Sequence, residues 1–228
     1  MRAMKRKEEL ADARQLQRVK VTSNREISPG VHYLSYQRTQ EFIPGQVVKV
    51  SLAANNPPRI YSICSGNSDP EISILFNIKE GGLLTPELAK LKSGDTMLVS
   101  APYGGFISKG EAEWWISTGT GIAPFYSMLR SGLGKNCRLI HGVRNRSQFY
   151  FQEEIQAMMG EQYITCCSGE KITGSFYGRV TDWLSSCEEL PTGIKYYLCG
   201  KALMVVDVRD LLIEKGIPFD RITSEIYF

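Results

Sequence analysis

A stretch near the middle of the chain has the residue types and spacing of a phosphate-binding turn. The apolar run Trp114–Ile116 leads to Gly119 and Gly121, two glycines one residue apart, and Pro124 follows. This order predicts a buried strand, a tight turn without side chains at its crest, and the start of a helix. Backbone N–H groups in such a turn can approach a pyrophosphate, with the positive end of the helix dipole behind them. The pattern fits dinucleotide binding, and taken alone it equally fits an ordinary tight turn.

A second group of candidate residues lies in the segment Arg59-Ile60-Tyr61-Ser62. Side chains alternate along a strand, so Arg59 and Tyr61 face the same side and offer a cation and a flat ring together. Ser62 adds a hydroxyl. These groups indicate a ligand site, although a barrel strand with a solvated arginine accounts for them at least as well.

A third group is the glycine-rich turn Gly81-Gly82-Leu83-Leu84-Thr85-Pro86. Thr85 is predicted as the N-cap of a helix and Pro86 as its first residue. A glycine turn leading into a helix suits a second pair of phosphates. An ordinary capped helix explains the same residues.

Two further segments lie toward the C-terminus. Cys199-Gly200 is predicted to end a strand and open a helix, and such a cysteine is most simply a small buried apolar residue. The chain closes on Glu225-Ile226-Tyr227-Phe228, and aromatic residues at a terminus commonly dock on the fold.

The elements that must position these groups differ between the two halves of the chain. The first half contains short runs rich in β-branched residues, separated by turn signals, and one helical segment, Pro86–Leu91. The predicted strands are Leu16–Ser23, Val31–Gln37, Gln46–Leu52, Ile60–Cys64, Glu71–Ile78 and Thr96–Ser100. Six such strands predict a small antiparallel β-barrel, whose closure removes the exposed edges of the sheet.

From Trp114 onward, predicted strands alternate with predicted helices. The strands are Trp114–Ser117, Arg138–Gly142, Tyr163–Cys167 and Tyr196–Cys199, and the helices are Phe125–Ser131, Gln148–Met159, Val180–Ser186 and Leu203–Lys215. This alternation predicts an α/β domain with a parallel sheet. Glycines 119, 142 and 200 follow strands, at the carboxyl edge where ligands bind in such sheets.

The 228 residues are therefore divided into a basic tail (1–15), a β-barrel domain (16–110) and an α/β domain (111–228). Seven of the 27 Lys/Arg and three of the 24 Asp/Glu lie in the first 20 residues, so the positive charge belongs to this N-terminal stretch and does not indicate a nucleic-acid surface. No window is apolar enough to span a bilayer.

The six cysteines, without C-x-x-C spacing or a secretory signal, favour a cytoplasmic protein with reduced thiols. His32 and His141 are interpreted as structural, and no metal site is expected.

Taken together and in this order, the segments resemble the ferredoxin–NADP reductase family. That family has an R-x-Y-S strand, a glycine-rich turn ending in Ser/Thr, a G-T-G-I-A-P turn, a C-G pair and a terminal E-x-Y. The likeness covers about Leu16 to Phe228. It implies an FAD-binding barrel followed by an NAD(P)-binding domain. Electrons would pass between a nicotinamide and a one-electron carrier protein, ferredoxin or flavodoxin, through FAD.

The resemblance also assigns residues to each site. Those implied for FAD are Arg59, Tyr61, Ser62, Phe76, Asn77, Ile78, Gly82, Leu83, Leu84, Thr85, Tyr227 and Phe228. Those implied for the nucleotide are Thr118, Gly119, Thr120, Gly121, Arg144, Ser168, Arg179, Cys199 and Gly200. Those implied for the site of hydride transfer are Ser62, Cys199, Glu225 and Tyr227, with Ser62 near flavin N5.

The chain departs from the family pattern at its C-terminus. Plant-type members end at the tyrosine, whereas Phe228 follows Tyr227 here, so either ring is a candidate for covering the flavin. Lys201 stands where a proline is frequent.

A second departure concerns the 2′-phosphate of NADP. Ser168-Gly169 stands where many NADP-using members have Ser-Arg, whereas Arg144 and Arg179 match other basic positions of bacterial members. Two guanidinium groups can still bind a phosphate through charge-assisted hydrogen bonds. NADP is therefore expected in preference to NAD, and an arginine at position 169 is expected to sharpen that preference.

Three functions remain open. The chain could be a freestanding NADPH–ferredoxin or flavodoxin reductase, the flavin electron-transfer subunit of a larger redox assembly, or a nucleotide-binding module without turnover. Subunits of dihydroorotate dehydrogenase type carry a C-x4-C-x2-C cluster near the C-terminus, and this sequence has none. Retention of Ser62, Cys199, Glu225 and Tyr227 favours turnover, because binding alone needs only the glycine turns. The first function is favoured.

Overall fold

The computed structural model describes residues 15–227, and the chain divides into two units between Ile107 and Ser108. The first unit contains β1 (Leu16–Ser28), β2 (Val31–Gln37), β3 (Val47–Ser51), β4 (Arg59–Ser62), β5 (Glu71–Asn77), α1 (Thr85–Lys90) and β6 (Thr96–Ser100). The second contains β7 (Glu113–Thr118), α2 (Ala123–Arg130), β8 (Cys137–Val143), α3 (Gln152–Met159), β9 (Tyr163–Cys167), β10 (Phe176–Tyr177), α4 (Val180–Ser186), β11 (Lys195–Lys201), α5 (Ala202–Glu214) and β12 (Ile222–Tyr227). The predicted tail, apart from Gln15, and Phe228 lie outside the described residues.

The first unit is an antiparallel sheet with the strand order β4-β3-β6-β1-β2-β5. Its two outer strands meet just after β4, where Ile63 forms a bridge with Ile74 and the Cys64 N–H donates to the Ser73 carbonyl at 2.8 Å. This contact closes the sheet around a core that includes fully buried Leu34. The predicted six-stranded antiparallel barrel is therefore confirmed.

Strand β1 is longer than predicted and serves two parts of the barrel. Residues Leu16–Lys20 pair with β6, and the part from Val21 to Ser28 pairs with β2. Most of its second half was not predicted as a strand, because it is rich in polar residues, and in the structure much of it is only partly buried. Backbone pairing, which does not depend on apolar side chains, continues the strand there.

Helix α1 begins at Thr85, with Leu84 as its N-cap residue in place of the predicted Thr85. The Thr85 hydroxyl accepts a hydrogen bond from the Lys79 N–H at 2.8 Å, so it stabilises the preceding turn instead of the helix end. Leu88 lies in the barrel core, and its burial anchors this short helix.

The second unit is a parallel sheet with the strand order β10-β9-β8-β7-β11-β12, as predicted for an α/β domain. One face packs against α4 and α5 through residues such as Ile140, Leu184 and Val208. On β7, Trp115 stacks on Phe125 of α2 with ring centroids 5.5 Å apart. In the part of the chain that is described, no helix is long and apolar enough to cross a membrane.

Candidate functional site

The candidate flavin strand is β4. Arg59 is exposed, Tyr61 is half-buried and Ser62 is buried at 3% exposure. Burial raises the pKa of Tyr61 to about 12, and the charge of Arg59, two residues away on the same face of the strand, opposes the shift. The Tyr61 ring meets Phe76 of β5 edge-on, with centroids 6.1 Å apart. A cation and a ring therefore share one face, next to β5.

The segment after β5 forms the predicted glycine turn. The Gly82 N–H donates to the Lys79 carbonyl at 2.9 Å, and a Cβ at Gly82 would lie 2.9 Å from that same carbonyl oxygen. The close approach explains why glycine stands here. The backbone before the turn is held as well, since the Ile78 N–H donates to the Gly30 carbonyl at 2.7 Å. Asn77 and Ile78 are exposed, Thr85 and Leu84 are partly buried, and Leu83 is 87% exposed.

The candidate nucleotide turn joins β7 to α2. Gly119 has φ +55°, and a 3-10 helix over Gly119–Ile122 continues directly into α2. A Cβ at Gly121 would overlap the Cys199 carbonyl oxygen and lie 2.6 Å from its carbonyl carbon. The turn is therefore packed directly on the backbone at the carboxyl end of β11, and Thr118, Gly119 and Thr120 stay partly exposed.

The ends of β7 and β11 also approach one another at Gly200, where a Cβ would overlap the Thr118 hydroxyl oxygen. Gly121 and Gly200 thus let the turn pack closely on β11, and the partly exposed residues 118–120 lie at the carboxyl edge of the sheet, where a dinucleotide's phosphates bind in such folds.

Cys199 is fully buried and lies in register with Ser117 of β7 and Glu225 of β12. Burial raises the pKa of the Cys199 thiol well above its usual value, the Glu225 charge adds to the rise, and a hydrogen bond from Tyr227 opposes it. The thiol therefore stays protonated and is not poised as a nucleophile. Strand β12 was not predicted, and it is this strand that brings Glu225 and Tyr227 beside Cys199.

The three residues predicted for the adenosine end are exposed and lie at the carboxyl ends of their strands or at a helix start. Arg144 follows β8, Ser168 follows β9, and Arg179 precedes α4. The two strand ends remain paired beyond the sheet, since Ser168 N–H donates to the Val143 carbonyl at 3.0 Å and Gly169 N–H to the Arg144 carbonyl at 2.8 Å.

That pairing changes the expectation for an arginine at position 169. A Cβ on Gly169 would overlap the Arg144 carbonyl oxygen and lie 3.0 Å from Asn145 Oδ1. Gly169→Arg is therefore expected to destabilise the protein, by roughly 1–3 kcal/mol, instead of sharpening the NADP preference. Thermal unfolding measures this, with Ser168→Arg as the control because it adds the same charge where a Cβ already exists. A fully stable Gly169→Arg protein with stronger NADP preference would contradict the steric argument.

His141 was interpreted as structural from the sequence, and it is fully buried. It pairs in register with Ser117, near the end of β7 that leads into the nucleotide turn. Its Nδ1 lies 2.9 Å from the Tyr163 hydroxyl, and its ring meets Phe149 edge-on at 5.4 Å. Burial lowers the pKa of His141 to about 3, so the ring is neutral in the folded protein.

This burial predicts a pH-dependent stability. The unfolded chain binds a proton at His141 near pH 6.5 and the folded chain only near pH 3, so its contribution to stability is present above pH 6.5 and is lost as the pH falls toward 3. His141→Gln should make the loss of unfolding free energy between pH 7 and pH 5 smaller by roughly 2 kcal/mol. Urea unfolding at the two pH values tests this. An unchanged loss would show that the ring charges inside the fold.

Two family profiles match the chain. One is described as an oxidoreductase FAD-binding domain and matches residues 18–107, and the other as an oxidoreductase NAD-binding domain and matches residues 115–210. The first lies within the barrel unit and the second within the parallel-sheet unit.

Known proteins with related sequences and folds agree with these profiles. The flavodoxin/ferredoxin–NADP reductase of Escherichia coli is 30% identical over 192 residues, which cover 74% of this chain and 77% of that protein. A probable dihydroorotate dehydrogenase B (NAD(+)) electron transfer subunit of Pyrococcus furiosus is 29% identical over 199 residues, which cover 86% of this chain and 75% of that protein. The crystal structure of a ferredoxin NADP+ reductase from Neisseria gonorrhoeae with bound FAD and NADP shares the fold, with a TM-score of 0.85, 20% identity, and coverage of 94% of this chain and 99% of that chain. The chain therefore belongs to the ferredoxin–NADP reductase family and is an FAD-dependent oxidoreductase that uses NAD(P).

Proposed function

We propose that this protein passes electrons between NADPH and a one-electron carrier protein, a ferredoxin or a flavodoxin. The observation that carries the proposal is the register of β11 and β12, which pairs Cys199 with Glu225 beside the nucleotide turn. Binding alone does not need this pair. Its retention supports turnover, and the similarity to the Escherichia coli reductase supports ferredoxin or flavodoxin as the acceptor.

The barrel residues have distinct roles in this proposal. When bound, FAD supplies the exchange between a two-electron hydride donor and a one-electron carrier. Arg59 donates charge-assisted hydrogen bonds to the FAD phosphates, Tyr61 packs against the cofactor, and Ser62 donates near flavin N5. The backbone of 76–78 lines the ring, and the turn 82–85, ending at the Thr85 hydroxyl, receives the phosphates.

The residues of the second unit bind and orient the nucleotide. The turn 118–121 donates backbone N–H groups to the pyrophosphate, while Arg144, Ser168 and Arg179 surround the adenosine phosphate. The exposed guanidinium groups of Arg144 and Arg179 support NADPH as the preferred donor, with NADH as a weaker one. Cys199 and Gly200, at the end of β11, would border the nicotinamide.

Arg59→Ala tests the flavin assignment. Each charge-assisted hydrogen bond to a phosphate contributes roughly 1.5–3 kcal/mol, so FAD affinity should fall by about one to two orders of magnitude. Flavin fluorescence titration of the apoprotein measures the change. Arg18→Ala is the matched control, because Arg18 is an exposed barrel arginine whose Nη1 donates to Thr96 Oγ1 at 3.3 Å. Equal affinity in wild type and Arg59→Ala would show that Arg59 is only a solvated surface residue.

The absorption spectrum of the purified protein tests the whole proposal. The protein should be yellow, should be bleached anaerobically by NADPH, and should then reduce an added ferredoxin or flavodoxin. A colourless protein, or a yellow one that pyridine nucleotides never bleach, would contradict it. The latter result would instead favour a nucleotide-binding module without turnover.

A second candidate function is an electron-transfer subunit of a larger assembly. The similarity to the Pyrococcus furiosus subunit over 86% of this chain favours it. A freestanding reductase reduces purified ferredoxin or flavodoxin by itself, whereas a subunit does so only when its partner enzyme is present. In either role we place the protein in the cytoplasm, because the six cysteines are free thiols.

A further inference from the structure

The side chain of Asn24, in the second half of β1, binds the carboxyl end of α1. Its amide nitrogen donates to the carbonyl oxygens of Leu88 at 2.9 Å, Ala89 at 3.2 Å and Leu91 at 2.9 Å. Two amide hydrogens serve three carbonyls, so one of these bonds is shared. The last carbonyls of a helix have no partner within it, and here a barrel side chain supplies one. Asn24 thus ties α1 to the barrel.

His32 determines which way the Asn24 amide points. Its Nδ1 lies 3.0 Å from Asn24 Oδ1, and an amide oxygen can only accept, so His32 carries a proton on Nδ1. The His32 ring also stacks on Phe76, with centroids 5.5 Å apart and an interplanar angle of 14°. Phe76 in turn contacts Tyr61. A continuous set of contacts therefore joins α1 to the two strands that carry the flavin residues.

The amino end of α1 is tied to the end of β5. Thr85 Oγ1 accepts the Lys79 N–H at 2.8 Å, and the Gly82 N–H donates to the Lys79 carbonyl at 2.9 Å. The turn that leads from β5 to α1 is thus held at both ends. One end is fixed by β5 and the other by a helix that Asn24 holds in place.

We propose that Asn24 and His32 are positioning residues for FAD, which set the phosphate turn 82–85 and the flavin-lining strand β5 relative to each other before the cofactor binds. Neither residue belongs to the predicted FAD set. The inference rests on the proposed function in one respect, namely that the turn 82–85 receives the FAD phosphates.

The physical reason is the shortness of α1. A helix of six residues is unstable by itself and depends on tertiary contacts. Without the Asn24 bonds, α1 frays in the absence of FAD, and the phosphate turn is formed in only a fraction of the molecules. The apparent affinity for FAD falls by that fraction, because the ordering must then be completed on binding.

Asn24→Ala, titrated with two flavins, is the main test. FAD engages the phosphate turn, whereas riboflavin has no phosphate and depends only on the strand residues. We expect the FAD dissociation constant to rise roughly tenfold and the riboflavin constant to change less than about twofold. Hydrogen exchange of the amides of residues 87–91 should accelerate while that of β2 and β5 stays unchanged.

Two substitutions of His32 separate its two contacts and keep the inference testable if Asn24→Ala folds poorly. His32→Asn retains a donor near the Nδ1 position and loses the ring, whereas His32→Phe retains the ring and loses the donor. We expect His32→Phe to reproduce the selective loss of FAD affinity. His32→Asn should keep the ratio of FAD to riboflavin affinity and weaken both flavins together through the lost stacking on Phe76.

Ser35→Ala is the matched control, because it removes a buried 2.8 Å hydrogen bond to Ser73 within the barrel, three residues along the same two strands from the His32–Phe76 pair. It should lower stability without changing the ratio of the two affinities. Parallel losses for FAD and riboflavin in Asn24→Ala, or no loss at all, would overturn the positioning role. A wild-type protein that binds FAD no more tightly than riboflavin would instead overturn the phosphate assignment of the turn 82–85, and the inference with it.

Discussion

Gly121→Ala is expected to weaken the binding of NADP by about a hundredfold while the barrel unit keeps its FAD. The added Cβ would overlap the Cys199 carbonyl oxygen and lie 2.6 Å from the Cys199 carbonyl carbon and 2.9 Å from Gly200 Cα. These atoms cannot retreat, because β11 is paired with β7 on one side and β12 on the other. The turn must therefore move away from β11, at a cost of roughly 3 kcal/mol, which corresponds to about a hundredfold loss of affinity.

Gly119→Ala is the matched control within the same turn. Gly119 has φ +55°, so alanine pays a backbone penalty of roughly 1–2 kcal/mol, but nothing lies within 4 Å of the added Cβ. Isothermal titration with NADP should therefore show a loss of at most about tenfold to thirtyfold for Gly119→Ala. Equal losses for the two variants would show that backbone strain, and not the contact with β11, determines the shape of the turn.

Much of the fold could be predicted because strong turn signals bound short apolar runs. The strands Val31–Gln37, Thr96–Ser100 and Tyr163–Cys167 and the helix Val180–Ser186 have the predicted bounds. In each case a local pattern of apolar spacing coincides with the burial found in the structure.

The elements that were predicted wrongly or missed depend on features that the local pattern of apolar residues does not reveal. Helix α3 was predicted from Gln148 but begins at Gln152, because Arg146–Gln148 forms a 3-10 turn and Phe151 has φ +60°. Strand β12 is formed by pairing with β11 at the sheet edge, so its formation depends on a distant partner.

Some features of the candidate site could likewise be predicted from the sequence, and others could not. The glycine turns could be recognised from spacing, because the geometry that requires them is local at Gly119 and at the Lys79–Gly82 turn. Contacts between residues far apart in sequence could not be recognised. The Arg144 carbonyl beneath Gly169 and the Asn24 side chain at the end of α1 are evident only once the strands are placed.

The second large effect is expected at the C-terminus. A hydrogen bond from the Tyr227 side chain opposes the rise in the pKa of the Cys199 thiol. Tyr227 pairs with Lys201 at the carboxyl end of β11, the strand end at which the family resemblance places the nicotinamide. Phe228, which the sequence also offers as a cover for the flavin, lies outside the described residues.

Deleting Tyr227 and Phe228 together is expected to tighten NADP binding and to slow turnover. A ring that occupies the nicotinamide position must leave before the nucleotide docks, so apparent affinity is lowered to the fraction of molecules in which the position is free. An aromatic pair contributes roughly 0.5–1.5 kcal/mol beyond burial, which corresponds to about a twofold to tenfold gain in affinity on deletion. Product nucleotide should then leave slowly, and a long-wavelength charge-transfer band should appear in the flavin spectrum.

Point variants identify which ring covers the flavin. Tyr227→Phe keeps the ring and loses only the bond to Cys199, so it should resemble wild type. Tyr227→Ser should resemble the deletion if Tyr227 is the covering ring. If Tyr227→Ser has little effect and removal of Phe228 alone has more, Phe228 is that ring. Unchanged nucleotide affinity and an unchanged flavin spectrum in the double deletion would show that the C-terminus only completes the sheet edge.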